Sequence, residues 1–154
     1  MRNTLLQESQ VETLIYEDAD MIDLHESAIP KCGANDIIVR NMRSETCGSD
    51  LISYLHGIMS SGIYTDIEAG REMVGIVDAV GENIQGIQEG SRVFIDPCAA
   101  VEYQWGSSVA GTFSQYVCVH NAHLNYNVFL LPDSLSFDEA VLGKPFSAIL
   151  QLLA

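Results

Sequence analysis

A thiol, a hydroxyl and a carboxylate stand together in the run Cys47-Gly48-Ser49-Asp50, and a second carboxylate, Glu72, follows in Gly70-Arg71-Glu72-Met73-Val74-Gly75. Sulfur and oxygen donors of this kind can bind a metal ion, about three of them leaving one coordination position open. Each residue also has a plainer reading. Cys47 taken alone reads better as a small buried hydrophobe, and Ser49 or Asp50 could cap a helix by accepting from its free backbone N–H groups. Arg71 has no lone pair to offer a metal, because its guanidinium stays protonated.

The elements that must position these residues are mostly short strands. Strand composition marks Thr13–Tyr16, then Met21–Glu26 after the acidic break at residues 17–20. The β-branched run Ile37-Ile38-Val39, inside 36–44, suits a buried strand. Residues 47–56 read as a short helix, and 57–70, with Gly57, Gly62 and Gly70, as a loop. Further strands are expected at 73–80, 92–95, 113–119 and 128–131. Between the second and third of these lies a loop over 98–111 that holds Tyr103 and Trp105, aromatics that would pack over the core or contact a substrate. Ser134 or Ser136 is suited to cap a helix from Phe137, with Asp138 and Glu139 in its first turn. A strongly apolar helical stretch, 146–154, needs covering on most of its surface.

Composition sets outer bounds. The chain has 154 residues, 47% hydrophobic and 18% charged, with 21 acidic against 7 basic residues and a formal net charge of -14. That balance is globular, and an acidic surface repels phosphate backbones and anionic lipid, so neither nucleic acid nor membrane is an expected partner. No apolar run approaches the ~20 residues of a membrane span, and the first ten residues lack the pattern of a secretory signal. Cys32, Cys47, Cys98 and Cys118 are scattered without a Cys-x-x-Cys pair, which points to free thiols in a reducing, cytoplasmic setting. His25, His120 and His123 read as surface or strand-end residues rather than ligands.

The order of the motifs is more specific than any one of them. Asp36-Ile37-Ile38-Val39, Cys47-Gly48-Ser49-Asp50, Gly70-x-Glu72-x-Val74-Gly75-x-Val77, Val80-Gly81, Gly90-x-Arg92-Val93, Gly111-x-Phe113-x-x-Tyr116 and Leu131-Pro132-Asp133-x-Leu135-Ser136-Phe137-Asp138-Glu139-Ala140 follow one another along the chain. The set resembles the N-terminal, GroES-like catalytic domain of the zinc-type medium-chain alcohol and polyol dehydrogenases, in the sorbitol and threonine dehydrogenase branch. The resemblance runs from about Thr13 to the end. It implies a mainly β fold with peripheral helices, a GroES-like, partly open β-barrel. It implies a single domain over 1–154, with 1–11 a loose lead-in and 137–154 the start of a segment leading toward a Rossmann domain that is absent.

For the site, the resemblance makes Cys47 a zinc ligand, Ser49 the proton-relay hydroxyl, Asp50 an orienting group and Glu72 a carboxylate beside the metal. Intact members of the family use zinc and NAD(P) to move hydride between an alcohol or polyol carbon and the nicotinamide; the zinc polarises the alcohol oxygen. The sequence departs from the pattern in several places. Arg71 stands where the family has a zinc-binding His, and Lys144 stands where it has a Glu or Cys ligand; a lysine could ligate only as the neutral amine, at a large desolvation cost. The structural-zinc lobe expected after Pro97 is represented by Cys98 alone. No Gly-x-Gly-x-x-Gly turn occurs, so the chain has no Rossmann fingerprint for a dinucleotide.

Both replacements are cations, which suggests a metal-free cluster of Arg71 and Lys144 with Glu72, Asp50 and Cys47. His56 could instead rescue the metal site with Cys47, and Arg71 and Lys144 could simply pair with the acidic surface. The expectation is a dehydrogenase catalytic domain, inactive and cofactor-free on its own. The competing reading is a non-catalytic remnant serving as an interaction or oligomerisation module, with a homo-oligomer or a partner covering 146–154. A weaker third reading uses Lys144 or Arg71 as an electrophile for an oxyanion.

Overall fold

The computed structural model of the chain describes residues 10–56, 67–70, 72–96 and 111–153. Arg71, Cys98, Tyr103, Trp105 and most of the expected 57–70 and 98–111 loops lie outside the described residues.

Two open sheets carry the fold. In the first, β1 (Gln10–Asp18) lies between β2 (Met21–Ala28) and β4 (Ile67–Glu68). β1 buries Val11, Thr13 and Tyr16, whereas β2 is an edge strand exposed along nearly its whole length. The lead-in expected through residue 11 therefore stops short of that point. Val11 pairs with Ser27 and is 2% exposed, so burial draws Gln10 and Val11 into the strand.

The second sheet has the order β7-β3-β5-β6-β8, formed by Tyr116–Val119, Ile37–Glu45, Glu72–Val80, Arg92–Ile95 and Val128–Leu130. Every strand pair in both sheets is antiparallel. The alternation of β-branched residues gives this sheet its buried face: Ile37, Val39, Met73, Val77, Val93, Ile95, Val117, Val119 and Val128 form one core cluster. Each such side chain contributes about 1.5–3 kcal/mol by leaving water. The sheets meet where Thr13 bridges Ser114, with the two buried hydroxyls 2.9 Å apart.

The long β3–β5 pairing is irregular. Its register shifts between Ile38 and Val39 and again between Asn41 and Arg43. Gly75 lies opposite Asn41, and a Cβ there would collide with the Arg40 carbonyl and Val39. Close approach of two backbones is what requires glycine at this point.

Helices are peripheral. α1 spans Gly48–His56, α2 Phe137–Ala140 and α3 Gly143–Leu153. Of the two candidate caps for α2, Ser136 is the one used. Its Oγ accepts from Glu139 N, while Glu139 Oε2 accepts from Ser136 N, a reciprocal capping box. α3 begins at Gly143, ahead of the expected 146–154. Pro145 is compatible with that first turn, where backbone N–H groups have no intrahelical partner to lose.

Candidate active-site pocket

The pocket forms where β3 ends and β5 begins. Glu45, the last residue of β3, pairs in register with Glu72, the first of β5. Two residues beyond Glu45, Cys47 leads into α1. Asp50, in the first turn of that helix, turns its Oδ2 back to accept from Cys47 N at 2.8 Å. Asp50 is thus not the N-cap foreseen from its residue type. It closes the first turn from inside, the reaching-back half of a capping arrangement. Tyr16 Oη donates to the Asp50 carbonyl at 3.2 Å, tying the first sheet to α1. Ser49 is half-buried in the same turn, and His56, at the far end of α1, is exposed.

α3 supplies the cation. Gly143 packs against Phe94 of β6, where a Cβ would stand 3.2 Å from the ring. The next residue, Lys144, places Nζ 2.5 Å from Glu72 Oε1 and 4.0 Å from Cys47 Sγ. The Glu72 side chain is 4% exposed and that of Lys144 24%. Glu45 Oε2 is buried without a hydrogen-bond partner. Burial raises the Glu45 carboxyl above its ordinary range, the neighbouring Glu72 raises it further, and Lys144 opposes both.

The structure therefore brings together Cys47, Glu72 and Lys144, with Asp50 holding the backbone of Cys47. Arg71 is not among the described residues. Chemically, the pocket contains a charge-assisted carboxylate–ammonium hydrogen bond with a thiol beside it. Sequence reasoning overlooked Glu45, whose register opposite Glu72 depends on the bulges in β3. It also passed over a second cluster at the other end of the sheet. There Asp36, Cys118 and His120 converge. The Cys-x-His spacing at the end of β7, which continues one face of the strand into His120, was the available signal. His25 pairs with Glu17 at 2.9 Å on the surface of the first hairpin.

The sheets, the glycine-mediated contact between β3 and β5, and the pocket at the head of α1 define the class. The family pattern described as alcohol dehydrogenase GroES-like domain matches residues 33–133, and the chain belongs to that family. Its relatives include sorbitol dehydrogenase of Bacillus subtilis (strain 168), 28% identical over 155 residues, covering 89% of this chain and 43% of the relative. L-threonine 3-dehydrogenase of Pseudoalteromonas atlantica is 29% identical over 140 residues, covering 80% of this chain and 40% of that one. Among solved structures, 2R,3R-butanediol dehydrogenase from Bacillus subtilis superimposes with a TM-score of 0.72 at 23% identity, over 88% of this chain and 44% of the other. Alcohol dehydrogenase from Thermus sp. ATN1 does so with a TM-score of 0.71 at 26% identity, over 85% and 43%. The chain thus spans less than half the length of these relatives. No helix among the described residues is long and apolar enough to cross a membrane.

Proposed function

We propose that this chain is the catalytic-domain portion of an alcohol or polyol dehydrogenase-like oxidoreductase in which an ion-pair cluster takes the place of the catalytic zinc. The observation that carries this reading is the position of Lys144 Nζ, 2.5 Å from Glu72 Oε1 and 4.0 Å from Cys47 Sγ. An ammonium has three donors and no lone pair. At the family's ligand positions, Cys47 suits a metal, whereas Lys144 and Arg71 do not. The donor set does not fit zinc.

Ser49, Asp50 and Glu72 keep the family positions of relay, orienting group and carboxylate. In this chain Asp50 holds the Cys47 backbone and Glu72 neutralises Lys144. An alcohol or polyol is the substrate class of the intact enzyme, with NAD(P) as hydride partner. The 154 residues contain no Gly-x-Gly-x-x-Gly turn for a dinucleotide, and the chain by itself is expected to oxidise no alcohol. A cytoplasmic location agrees with the free thiols of Cys32, Cys47 and Cys118.

The test is cobalt(II) uptake, read from the thiolate-to-metal absorption that depends on Cys47. Cys47→Ser should leave the metal uptake of the wild-type chain unchanged. Arg71→His combined with Lys144→Glu should add one Cys47-dependent equivalent. If the wild type already binds metal through Cys47, or the double substitution adds none, the replaced-site reading is wrong.

A second reading, an interaction or oligomerisation module, is favoured by α3. No residue of this helix is buried, and Phe146, Ile149, Leu150, Leu152 and Leu153 are exposed, Leu152 by 86%. A cleft of about 390 Å³ lined by Phe94, Phe129, Leu131, Leu135 and Ala140 adjoins it. Self-association of the 154-residue chain, abolished by Leu150→Glu with Leu153→Glu, would support this role. A monomer at all concentrations would remove it.

A further inference from the structure

The second cluster lies at the end of β3 remote from Cys47. Asp36 immediately precedes that strand, whose 9 residues end at Glu45. At about 3.3 Å per residue the two ends are roughly 30 Å apart, so the cluster is separate from the pocket above. Cys118 pairs with Ile38 across β3 and β7, and His120 follows β7 on the same face as Cys118.

The ligand atoms converge. Cys118 Sγ is 3.8 Å from Asp36 Oδ2 and 3.7 Å from His120 Nδ1, and His120 Nδ1 is 3.2 Å from Asp36 Oδ2. Bond lengths to zinc of about 2.3 Å for sulfur and about 2.0 Å for nitrogen and oxygen, at tetrahedral angles, place such pairs about 3.5 Å apart for S···N and S···O and about 3.3 Å apart for N···O. The three observed edges match that triangle to within about 0.3 Å.

The same residue types could suggest a nucleophile–base–acid relay, but the geometry argues against it. A relay uses both ring nitrogens, one for the nucleophile and one for the carboxylate. Here sulfur and carboxylate both approach Nδ1. Three donors around a common point describe a coordination site, not a chain.

The supporting framework is already in place. Asn121 N donates to Asp36 Oδ1 at 3.1 Å, which turns Oδ2 toward the thiol and the imidazole. Ala122 N donates to the Asn35 carbonyl at 2.9 Å, and Gly81 N to the Asp36 carbonyl at 2.9 Å, pinning the loop on both sides. Asn121 itself sits at φ 48°, an uncommon backbone conformation for a residue other than glycine. Cys32 Sγ lies 3.3 Å from the Asp36 carbonyl, beside the same loop.

We propose that Asp36, Cys118 and His120 bind one zinc-class divalent ion that clasps the loop before β3 to the end of β7, three protein donors leaving one position open. Mixed thiolate, imidazole and carboxylate donors select such an ion over magnesium or calcium, which take oxygen ligands. Burial first, and then Asp36 and Cys32, push the Cys118 thiol up to about 12. A coordinated metal reverses that tendency, because a ligating thiol is deprotonated outright.

The experiment is zinc binding to the reduced full chain by chelator competition, with cobalt(II) spectra as a second readout. One equivalent is expected, with a thiolate-to-cobalt band. Cys118→Ala and His120→Gln should each weaken it by more than about 100-fold, beyond the usual effect of removing a group that only supports a ligand. Cys47→Ser should leave it unchanged. His120 has a 39% exposed side chain, so His120→Gln keeps the test valid even if Cys118→Ala fails to fold. Absence of uptake, uptake surviving His120→Gln, or uptake lost in Cys47→Ser overturns the proposal. The last result would place the metal at the other pocket.

Discussion

Lys144 and Glu72 are separated by 72 residues, and their charged atoms meet at 2.5 Å inside the pocket at the head of α1. The carboxylate is almost fully enclosed, the ammonium about three-quarters so. Removing one partner leaves the other charged and poorly solvated, whereas replacing both by apolar groups relieves that penalty. Lys144→Met is expected to destabilise the chain by about 3 kcal/mol, the lower end for a broken buried pair because part of the lysine reaches water. Lys144→Met with Glu72→Leu should cost much less than the sum of the two single changes, a non-additivity measurable by urea denaturation.

Glu45 makes the pocket sensitive to pH. Its carboxyl is raised above the ordinary value of 4.5, first by burial and then by Glu72. The folded protein therefore holds this proton more tightly than the unfolded chain. The associated stabilisation is complete below about pH 4.5 and is lost as pH rises through the raised value. Glu45→Gln keeps the neutral form at all pH. Relative to wild type, it should gain stability as pH is raised from 4 toward 7, a trend visible in melting temperatures across that range.

Asp50 should act on Cys47 through the backbone. Asp50→Ala removes the acceptor for Cys47 N and frays the first turn of α1, at about 1 kcal/mol. If the contact positions the thiol, Cys47 alkylation should become faster in the variant, while Asp50→Asn, which retains an acceptor oxygen, should restore most of the protection. An unchanged alkylation rate in Asp50→Ala would show that the carboxylate does not hold this loop.

Gly75 and Gly48 should respond in opposite ways. A Cβ at Gly75 meets the Arg40 carbonyl and Val39, whereas one at Gly48 meets nothing within 4 Å. Gly75→Ala must push β3 and β5 apart and should cost about 2–3 kcal/mol, in the range of overpacking. Gly48→Ala, at the start of α1, should be neutral or stabilise by up to about 1 kcal/mol. Thermal melts of the two variants compare them directly.

Local signals were legible where local physics decides the outcome. The β-branched run at Ile37–Val39 and the near-continuous apolar run of β5 place buried strands, because the composition that suits burial lies along one segment. Ser136 and Glu139 specify their own helix start, since both halves of the capping box lie within four residues of sequence. β2 was less faithful to its pattern: its apolar Met21, Ile22 and Leu24 are all exposed. Whether a strand becomes an edge depends on which neighbours pair with it, and that information lies elsewhere in the chain.

The sequence alone determined the succession of strands and the motif order that places this chain in its family. It also singled out Cys47, Asp50, Glu72 and Lys144 as candidates for one site. These depend on composition and spacing along one chain. Only the tertiary structure decided that Lys144 faces Glu72, that Glu45 joins them without a partner for Oε2, and that Asp36, Cys118 and His120 share one point. Those contacts follow from the register of β3 against β5 and β7, including two bulges. A shift of one residue there would send every side chain to the other face, so the pocket exists only once the strands have paired.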